Sequence, residues 1–247
     1  MQKFENKTIW IIGATDGIGR AILEKLDSLV NANFIISSRS QQKLEALAKN
    51  LKNESILLAF NVNDYLEFER QATKAIAYKP DFIIYLPAFY EPSLITDISL
   101  SNINETIQTN LTAVFYLIRF TLPYIKKNPH CQLAITASVA GYIGLPKSQP
   151  YAATKAGVIN LVESLKAENQ ELDIRLINPS FVKTKLTNKN NFKMPTLLTP
   201  EHAAKAILKG LSSSNFEIHF TKKFTLVLKL IAKLPYKLYF KVAKKLI

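Results

Sequence analysis

A short apolar run that ends at a glycine limits the fold of this chain more than any other feature of its sequence. The run Thr8–Ile12 is nearly all apolar, as expected for a strand that is buried on both faces of a parallel sheet. Gly13, Gly17 and Gly19 follow it, and apolar residues at helical spacing come next. Such a turn lets the backbone approach a pyrophosphate at the helix N-terminus, although a tight turn without a ligand has the same composition.

Strand-like and helix-like segments alternate along the chain after this turn. The alternation predicts right-handed crossovers and a Rossmann-like α/β fold, in which a doubly wound parallel sheet of about seven strands binds ligands at the carboxyl ends of its strands. Besides Thr8–Ile12, the predicted strands cover Asn33–Ser38, 55–62, 81–86, 132–137, 173–177 and 216–220, and the predicted helices cover 41–52, 64–78, 104–122, Pro200–Leu211 and a stretch that begins at Tyr151.

The end of the second predicted strand indicates which dinucleotide the glycine turn would bind. An NAD site of this kind places a carboxylate about 20 residues beyond the glycines, where it grips the adenosine ribose. Here Ser38 and Arg39 occupy that place, and Glu45 is the first acid after them. Arg39 can meet a phosphate, so NADP is favoured over NAD. A solvated loop cation is the alternative for Arg39, and the carboxylate of Asp16 would repel a 2′-phosphate.

Three further segments carry candidate catalytic side chains. Ser138 directly follows the fifth predicted strand and therefore lies at the ligand-binding edge of the sheet. Asn110 lies inside the predicted helix 104–122, where an asparagine could equally cap a bend or face solvent. Tyr151 and Lys155 are four residues apart on one helical face, so the ammonium can stabilise the phenolate and lower the Tyr151 pKa. That pair suits a general acid, although most such pairs are solvated surface neighbours.

With these elements in place, residues 7–221 resemble a short-chain dehydrogenase/reductase of the single-domain kind. The glycine turn matches the family's cofactor loop, and four polar residues match its catalytic tetrad in order and approximate spacing. The tetrad implied by the resemblance is Asn110, Ser138, Tyr151 and Lys155. The implied cofactor-binding residues are Gly13, Thr15, Asp16, Gly17, Ile18, Gly19, Ser38, Arg39, Asn61, Val62, Tyr151, Lys155, Pro179, Val182 and Thr184, and no metal is implied.

The chain departs from the family's pattern at three places. Asn61 and Val62 stand in place of an Asp-Val adenine contact, with an amide where the family has a carboxylate. Residues 85–88, Tyr-Leu-Pro-Ala, occupy the place of an Asn-Asn-Ala-Gly motif. Ser180 replaces the glycine of a Pro-Gly pair, while Thr184 is retained to contact the nicotinamide carboxamide. These departures leave the glycine turn and the tetrad complete.

The resemblance implies a carbonyl reductase or alcohol dehydrogenase. Tyr151 would give its proton to a carbonyl oxygen, and Ser138 would hydrogen-bond that oxygen as charge develops. Lys155 would orient the nicotinamide ribose, and Asn110 would hold a water that links Lys155 to solvent. The alternative keeps the fold without catalysis, as a cofactor-sensing or scaffold protein.

The substrate pocket is expected to be mainly apolar, because no charged residue recurs among its predicted walls. A lipid-like or aromatic carbonyl is therefore preferred over a carboxylate or phosphate substrate. Residues 185–198 lack clear periodicity, which suggests a mobile lid over this pocket. The predicted walls are Tyr142, Ile143, Leu145, Phe181, Leu186, Phe192 and Met194.

Length and charge indicate one catalytic domain followed by a basic tail. A chain of 247 residues that is 48% hydrophobic can bury one sizeable core, which we assign to residues 1–221. The lysines of residues 222–247 carry most of the formal net charge of +13, so binding of RNA or DNA by the body is disfavoured. Cys131 is the only cysteine, which fits a reducing, cytoplasmic compartment. Neither a secretory signal nor a membrane-spanning segment is predicted.

Residues 222–247 are predicted to form a basic amphipathic helical tail that Pro235 divides into two pieces. A lysine recurs every four residues from Lys229 to Lys245, and apolar residues cover much of the remaining circumference. Such a stretch can lie in the interface of an anionic membrane, as a peripheral contact at its inner face. The alternative is that its apolar side packs on the body or on a second subunit of a homo-oligomer.

Overall fold

The computed structural model describes residues 1–190 and 194–243 of the chain. In this part of the chain, one sheet contains seven strands, and every neighbouring pair is parallel. The strands are β1 (Thr8–Ile12), β2 (Asn33–Ser38), β3 (Ser55–Ala59), β4 (Phe82–Tyr85), β5 (Gln132–Thr136), β6 (Ile174–Asn178) and β7 (Glu217–His219). Their order across the sheet, β3-β2-β1-β4-β5-β6-β7, confirms the doubly wound, Rossmann-like α/β fold.

Helices cover both faces of the sheet. They are α1 (Gly17–Leu29), α2 (Gln41–Ala48), α3 (Tyr65–Ala77), α4 (Leu100–Ile107), α5 (Ala113–Lys127), α6 (Tyr151–Glu168), α7 (Pro200–Leu211), α8 (Lys222–Ile231) and α9 (Tyr236–Ala243). Successive side chains of a strand point to opposite faces, so Ile9 and Ile11 of β1 pack with α1 and α7. Trp10 and Ile12 pack on the other face with α3, α5 and α6. Both faces of β1 are therefore buried, as its apolar sequence predicts.

Residues 104–122 are helical throughout, as predicted, but a π-helical turn divides the segment into two α-helices. α4 ends at Ile107, a wide π-helical turn covers Gln108–Thr112, and α5 begins at Ala113. The turn carries Asn110, whose side chain is fully buried and hydrogen-bonded to the backbone of another segment. The spacing of apolar residues in the sequence does not reveal this wider turn, because the turn is accompanied by a contact with a segment that is distant in the sequence. The predicted strand 55–62 and helix 41–52 are also shorter in the structure, since β3 ends at Ala59 and α2 at Ala48.

Both ends of the predicted lid, residues 185–198, are tied to the body. Val182 and Leu198 form an isolated parallel bridge. The Lys183 N–H donates to the Leu198 carbonyl oxygen (2.8 Å), and the Leu198 N–H donates to that of Phe181 (3.0 Å). A short 3-10 turn covers Thr187–Lys189. The mobility of this segment stays a prediction, and Phe192 lies outside the described residues.

The tail forms two helices, α8 and α9, on either side of Pro235, which confirms the predicted break. Thr225 and Leu228 of α8 and Ala243 of α9 are buried. Leu228 packs with residues of the body that follow β5. The division of the chain into a catalytic domain and a separate tail stays a prediction. Within residues 1–190 and 194–243, none of the helices has both the length and the apolar character needed to cross a membrane.

Candidate active site

The glycine turn, residues 13–19, is shaped by close contacts between backbone atoms. Gly13 and Gly17 have positive φ angles of 89° and 50°, a region that L side chains rarely adopt. A Cβ atom on Gly19 would lie 2.1 Å from the carbonyl oxygen of Gly13. The N–H groups of Gly13 and Ala14 donate to the Ser37 carbonyl oxygen, at 2.8 and 3.1 Å. Without Cβ atoms at its three glycines, the turn therefore brings its backbone close to the N-terminus of α1.

Asp16 caps α1 and pairs with a lysine from the predicted lid. Its carboxylate accepts hydrogen bonds from the Gly17 N–H (2.8 Å) and from the Lys185 ammonium (2.5 Å). Burial acts to raise the pKa of Asp16, but these two hydrogen bonds outweigh it and lower the pKa. The ion pair offsets the repulsion that Asp16 would exert on a phosphate. Sequence reasoning missed Lys185, because 169 residues separate it from Asp16.

The carboxyl end of β2 presents two cations to the same cleft. Arg39 follows β2, and Lys43 lies in the first turn of α2. Both line the cleft together with Ser38 and Ser40. Ser40 caps α2 by accepting a hydrogen bond from the Lys43 N–H (3.3 Å). Ser40 and Lys43 were not predicted, although a lysine one helical turn beyond Arg39 was a usable signal for a phosphate site.

A cleft of about 510 Å³ joins these groups to the candidate catalytic side chains. All the predicted cofactor-binding residues line it, and so does Ser138. Among the tetrad residues, Asn110 alone lies behind the cleft surface. Two cations at one end, the glycine turn, and Tyr151 with Lys155 fit an elongated dinucleotide. The roles of the individual residues stay predictions.

Three residues of the predicted tetrad meet at the carboxyl edge of the sheet. Tyr151 is the first residue of α6, and its side chain lines the cleft together with Ser138. The Ser138 hydroxyl accepts a hydrogen bond from the Ala140 N–H (3.1 Å). One helical turn after Tyr151, the Lys155 ammonium donates to the Thr136 carbonyl oxygen (3.1 Å) and lies 5.7 Å from the centroid of the Tyr151 ring.

The predicted lowering of the Tyr151 pKa by Lys155 is not found. Burial raises the pKa of Tyr151 to about 12, and the neighbouring Ser138 hydroxyl offsets only part of this effect. Burial also lowers the pKa of Lys155 to about 7, so much of this side chain is uncharged at neutral pH. An uncharged amine does not stabilise a phenolate. Tyr151 therefore keeps its proton in this structure.

Asn110 holds the backbone next to the site. Its Nδ2 donates to the Phe89 carbonyl oxygen (2.8 Å) and to the Thr154 hydroxyl (3.3 Å), and its Oδ1 accepts from the Phe89 N–H (2.7 Å). The side chain thus links the π-helical turn to the segment after β4 and to α6. A solvent-facing asparagine, one of the alternatives left open by the sequence, is excluded. The predicted role of Asn110 in holding a water stays a prediction.

The segment after β4 contributes a tyrosine that no sequence signal singled out. The Tyr90 ring packs edge-on against the Tyr151 ring, with centroids 4.8 Å apart, and its hydroxyl donates to the Asn190 side chain (2.7 Å). In the motif at residues 85–88, which differs from the family's pattern, residues 86–88 line the cleft, whereas Tyr85 is fully buried in the core. Burial raises the pKa of Tyr85. The first residue of the motif therefore packs in the core, and the other three residues form part of the wall of the cleft.

The predicted apolar wall is divided between the cleft and the tail. Leu186 lines the cleft, as predicted. Tyr142, Ile143 and Leu145 instead pack with α8 and α9. Phe181 likewise packs against the tail, where it faces the Phe224 ring with centroids 5.9 Å apart. None of these four residues lines the described cleft, and Tyr142, Leu145 and Phe181 are only partly buried, so their role as walls of a substrate pocket stays a prediction.

The two remaining wall residues belong to the lid. Met194 is next to Asn190, whose Nδ2 donates to the Met194 sulfur (3.3 Å). Asn190 also accepts a hydrogen bond from the Tyr90 hydroxyl. This part of the lid is therefore linked to the Tyr90 ring, which packs against the Tyr151 ring. Phe192, the last predicted wall residue, lies outside the described part of the chain.

Glu217 of β7 connects the body with the tail. Its carboxylate accepts hydrogen bonds from the Tyr142 hydroxyl, the Lys229 ammonium and the Asn178 side chain, the last at 2.7 Å. Burial acts to raise the pKa of Glu217, but these partners lower it. The Lys229 ammonium also lies 5.1 Å from the centroid of the Tyr142 ring. An ionised, partly buried carboxylate therefore holds α8 against the sheet edge.

A doubly wound parallel sheet with a glycine turn after β1 and a Ser-Tyr-Lys group at its carboxyl edge defines the class of dinucleotide-binding oxidoreductases. The family model described as short chain dehydrogenase matches residues 7–195. The chain therefore belongs to the short-chain dehydrogenase/reductase family, as the resemblance of its motifs indicated, and is an oxidoreductase.

Its relatives include the 3-oxoacyl-[acyl-carrier-protein] reductase FabG of Rickettsia conorii, which is 30% identical over 189 residues, 76% of this chain and 77% of the relative. An uncharacterized oxidoreductase of Staphylococcus epidermidis is 26% identical over 216 residues, 86% of this chain and 94% of the relative. Two solved structures share the fold. A short-chain dehydrogenase/reductase from Burkholderia phymatum in complex with NAD has a TM-score of 0.82 at 20% identity, over 93% of this chain and 94% of that one. An alcohol dehydrogenase from Thermococcus sibiricus, complexed with 5-hydroxy-NADP, has a TM-score of 0.76 at 22% identity, over 87% of this chain and 96% of that one.

Proposed function

We propose that this protein is an NADP(H)-dependent oxidoreductase that interconverts a carbonyl and an alcohol of a mainly apolar small molecule, with Tyr151 as general acid and base. One observation carries the proposal. Tyr151 and Ser138 line the same cleft as the glycine turn and Arg39. A proton donor thus shares a cavity with a glycine turn suited to a dinucleotide.

The chain's own residues supply the proton and the oxygen-binding site. A nicotinamide coenzyme, when bound, would supply or accept the hydride. Tyr151 holds a proton at neutral pH, as a free tyrosine also does, and burial raises its pKa further, to about 12. It can donate that proton to an oxygen that gains negative charge. Ser138 would hydrogen-bond the same oxygen. In the reverse direction, Tyr151 would accept the proton of the alcohol.

Lys155 is suited to proton exchange because its pKa lies close to neutral. With a pKa of about 7, its amine can give or accept a proton with little free-energy cost near neutral pH. A negative charge placed nearby would favour the ammonium form and bring the Lys155 pKa upward. We propose that Lys155 contacts the nicotinamide ribose and passes protons toward Tyr151. Asn110 positions this part of α6 through its hydrogen bond to Thr154.

Replacing Tyr151 with Phe tests the proposed acid. Tyr151→Phe keeps the ring and removes the hydroxyl, so turnover of a carbonyl substrate should fall by roughly 100-fold or more while NADPH affinity changes little. Steady-state rates, with a substrate found by screening carbonyl compounds for NADPH oxidation, and fluorescence titration of NADPH would separate the two effects.

A matched control is Tyr124→Phe, which removes a hydroxyl that donates to the Pro80 carbonyl oxygen, outside the cleft. This control should turn over substrate at the parent rate. Parental turnover by Tyr151→Phe would show that Tyr151 is not the acid. Intact NADPH binding with no turnover of any carbonyl by the parent protein would favour a cofactor sensor or scaffold.

The preference for NADP rests on Arg39, which with Ser38 stands where NAD binders place a carboxylate, and on Lys43, which lines the same cleft. Arg39→Ala should weaken NADPH binding by about 1–3 kcal/mol and NADH binding much less, since it removes a charge-assisted contact to one phosphate. Arg70→Ala, which removes an exposed arginine of α3, is the control and should change neither affinity. Equal losses for NADPH and NADH would contradict the preference.

A further inference from the structure

The tail has two faces that differ completely in their surroundings. On one face, Thr225 and Leu228 are buried, and the Thr225 hydroxyl is hydrogen-bonded to the ring of His219 (2.7 Å). In α9, the Tyr239 hydroxyl donates to the Gly144 carbonyl oxygen (2.5 Å). The body therefore covers only one side of each tail helix.

The other face of the tail is apolar, large and uncovered. Leu226, Val227 and Leu230 of α8 are 52%, 52% and 65% exposed, and Tyr236 and Phe240 of α9 are 78% and 62% exposed. The rings of Tyr236 and Phe240 stack on each other, with centroids 5.9 Å apart. Side chains of this size are rarely left in water in such a concentration.

The charge on this face has one sign. Between residues 222 and 243, every exposed side chain is apolar, aromatic or a lysine, and no acid follows Glu217 in the sequence. Glu217 itself already pairs with Lys229. The exposed members of this face are Leu226, Val227, Leu230, Ala232, Pro235, Tyr236, Leu238 and Phe240, with Lys222, Lys223, Lys233, Lys237 and Lys241.

We propose that this exposed face of the tail, which we call the docking face, binds the surface of an anionic lipid bilayer. Apolar and aromatic side chains can enter the boundary between headgroups and acyl chains, and the lysines beside them meet lipid phosphates. Each lysine near an anionic surface adds about 1 kcal/mol to binding. The proposal goes beyond the oxidoreductase activity and does not depend on it.

Charge complementarity favours the bilayer over a second copy of the chain. A two-fold contact would bring the docking face against itself, so lysines would meet lysines with no acid on either side. An anionic bilayer supplies both the negative charge and the apolar depth. A groove of about 460 Å³ between α8 and the body extends the docking face, since it is lined by Leu226, Leu230 and Lys233 together with Ile159 of α6.

Co-sedimentation of the full chain with phosphatidylcholine vesicles, prepared with and without phosphatidylglycerol, tests the proposal. We expect binding to the vesicles that contain phosphatidylglycerol, much weaker binding to phosphatidylcholine alone, and loss of binding as salt is raised. Failure of the full chain to bind phosphatidylglycerol vesicles would overturn the proposal.

Two sets of substitutions separate the contribution of charge from that of apolar contact. The combined change Lys233→Gln, Lys237→Gln and Lys241→Gln should weaken vesicle binding roughly 100-fold, whereas Lys49→Gln, Lys74→Gln and Lys126→Gln remove the same charge from the body and should weaken it far less. Equal losses in the two triple variants would mean that net charge alone attracts the protein, and the docking face would be disproved.

The apolar contribution has its own control. Leu226→Gln with Leu230→Gln should weaken binding at least roughly tenfold. Leu29→Gln with Leu66→Gln changes two leucines of the body that are 52% and 71% exposed and should leave binding unchanged. Circular dichroism would verify that each variant is folded. If the tail pair changed the mass of the protein in solution and the parent bound no vesicles, the docking face would be an interface between copies, contrary to the proposal.

Discussion

Two ends of the body meet very different neighbours: the glycine turn in the cleft meets backbone atoms, whereas residues 142–145, outside the cleft, meet side chains of the tail. At Gly19, an added Cβ would lie 2.1 Å from the Gly13 carbonyl oxygen. At Gly144, an added Cβ would lie 3.2 Å from the Tyr239 hydroxyl, the far end of a side chain that can move. The cofactor end therefore has little tolerance for change, and the end covered by the tail can adapt.

Matched glycine substitutions should show the largest difference between the two ends. Gly19→Ala forces the backbone of the glycine turn apart, which should cost about 4 kcal/mol and weaken dinucleotide binding roughly 1000-fold. Gly144→Ala needs only a small shift of Tyr239, so the free energy of unfolding should change by less than about 0.5 kcal/mol. Thermal unfolding and NADPH titration measure both effects. Similar losses in the two variants would mean that the two ends are equally rigid.

Lysine substitutions test the same difference between the two ends, because one lysine is buried at the cofactor end and several are exposed on the tail. Lys155→Met replaces a fully buried amine with an apolar side chain of similar length, which should raise the free energy of unfolding by about 3 kcal/mol at pH 7. Lys74→Met, at an exposed position on α3, should change it by less than about 0.5 kcal/mol. Urea denaturation of both variants gives the measurement.

The stabilisation by Lys155→Met should also depend on pH in a defined direction. The pKa of Lys155 is about 7 in the folded protein and 10.5 when unperturbed, so the unfolded chain binds more protons between these values. The parent protein therefore gains stability as pH rises through this window, and its disadvantage against Lys155→Met should shrink toward pH 10. A difference that stayed constant with pH would show that the lysine is not buried in the way described.

Substitution of Glu217, at the end covered by the tail, should have the smallest of these effects on the free energy of unfolding. Glu217→Gln keeps a hydrogen-bonding oxygen but removes the ion pair with Lys229, which should cost about 1–2 kcal/mol in unfolding free energy. Glu24→Gln breaks an exposed pair with Arg20 and should cost less than about 0.5 kcal/mol. Partners of Glu217 lower its pKa below 4.5, so its contribution is present above that pH and is lost as pH falls through the folded pKa.

The sequence predicted the parts of the site that depend on neighbours along the chain. The run Thr8–Ile12, Gly13 and the start of α1 could be read directly, because the alternation of strand and helix brings each strand end to one edge of the sheet. Ser138 was placed at that edge for the same reason, and Tyr151 and Lys155 on one helical face by the helix period. Other predicted cofactor-binding residues, such as Asn61, Val182 and Thr184, were implied by the resemblance to the family and not by these local rules.

Contacts between distant segments could not be predicted in this way. Lys185 pairs with Asp16, and the Tyr90 ring packs against that of Tyr151, yet no periodicity links the members of either pair. The same limit applies to the contact of Tyr142 with the tail, which was not predicted. The apolar character of Tyr142 was clear, but the residues that cover it come from α8, far along the chain.

By itself, the sequence determined the order of strands and helices, the glycine turn and the identity of the candidate acid, because each depends on the conformation of a few consecutive residues. Only the tertiary structure decided the direction in which the pKa of that acid is shifted and the surface that the tail presents. Burial raises the pKa of Tyr151 and lowers that of Lys155, against the effect expected for a solvated pair. Packing on the body likewise hides one side of the amphipathic tail and leaves the docking face uncovered, because burial depends on which distant segments pack together.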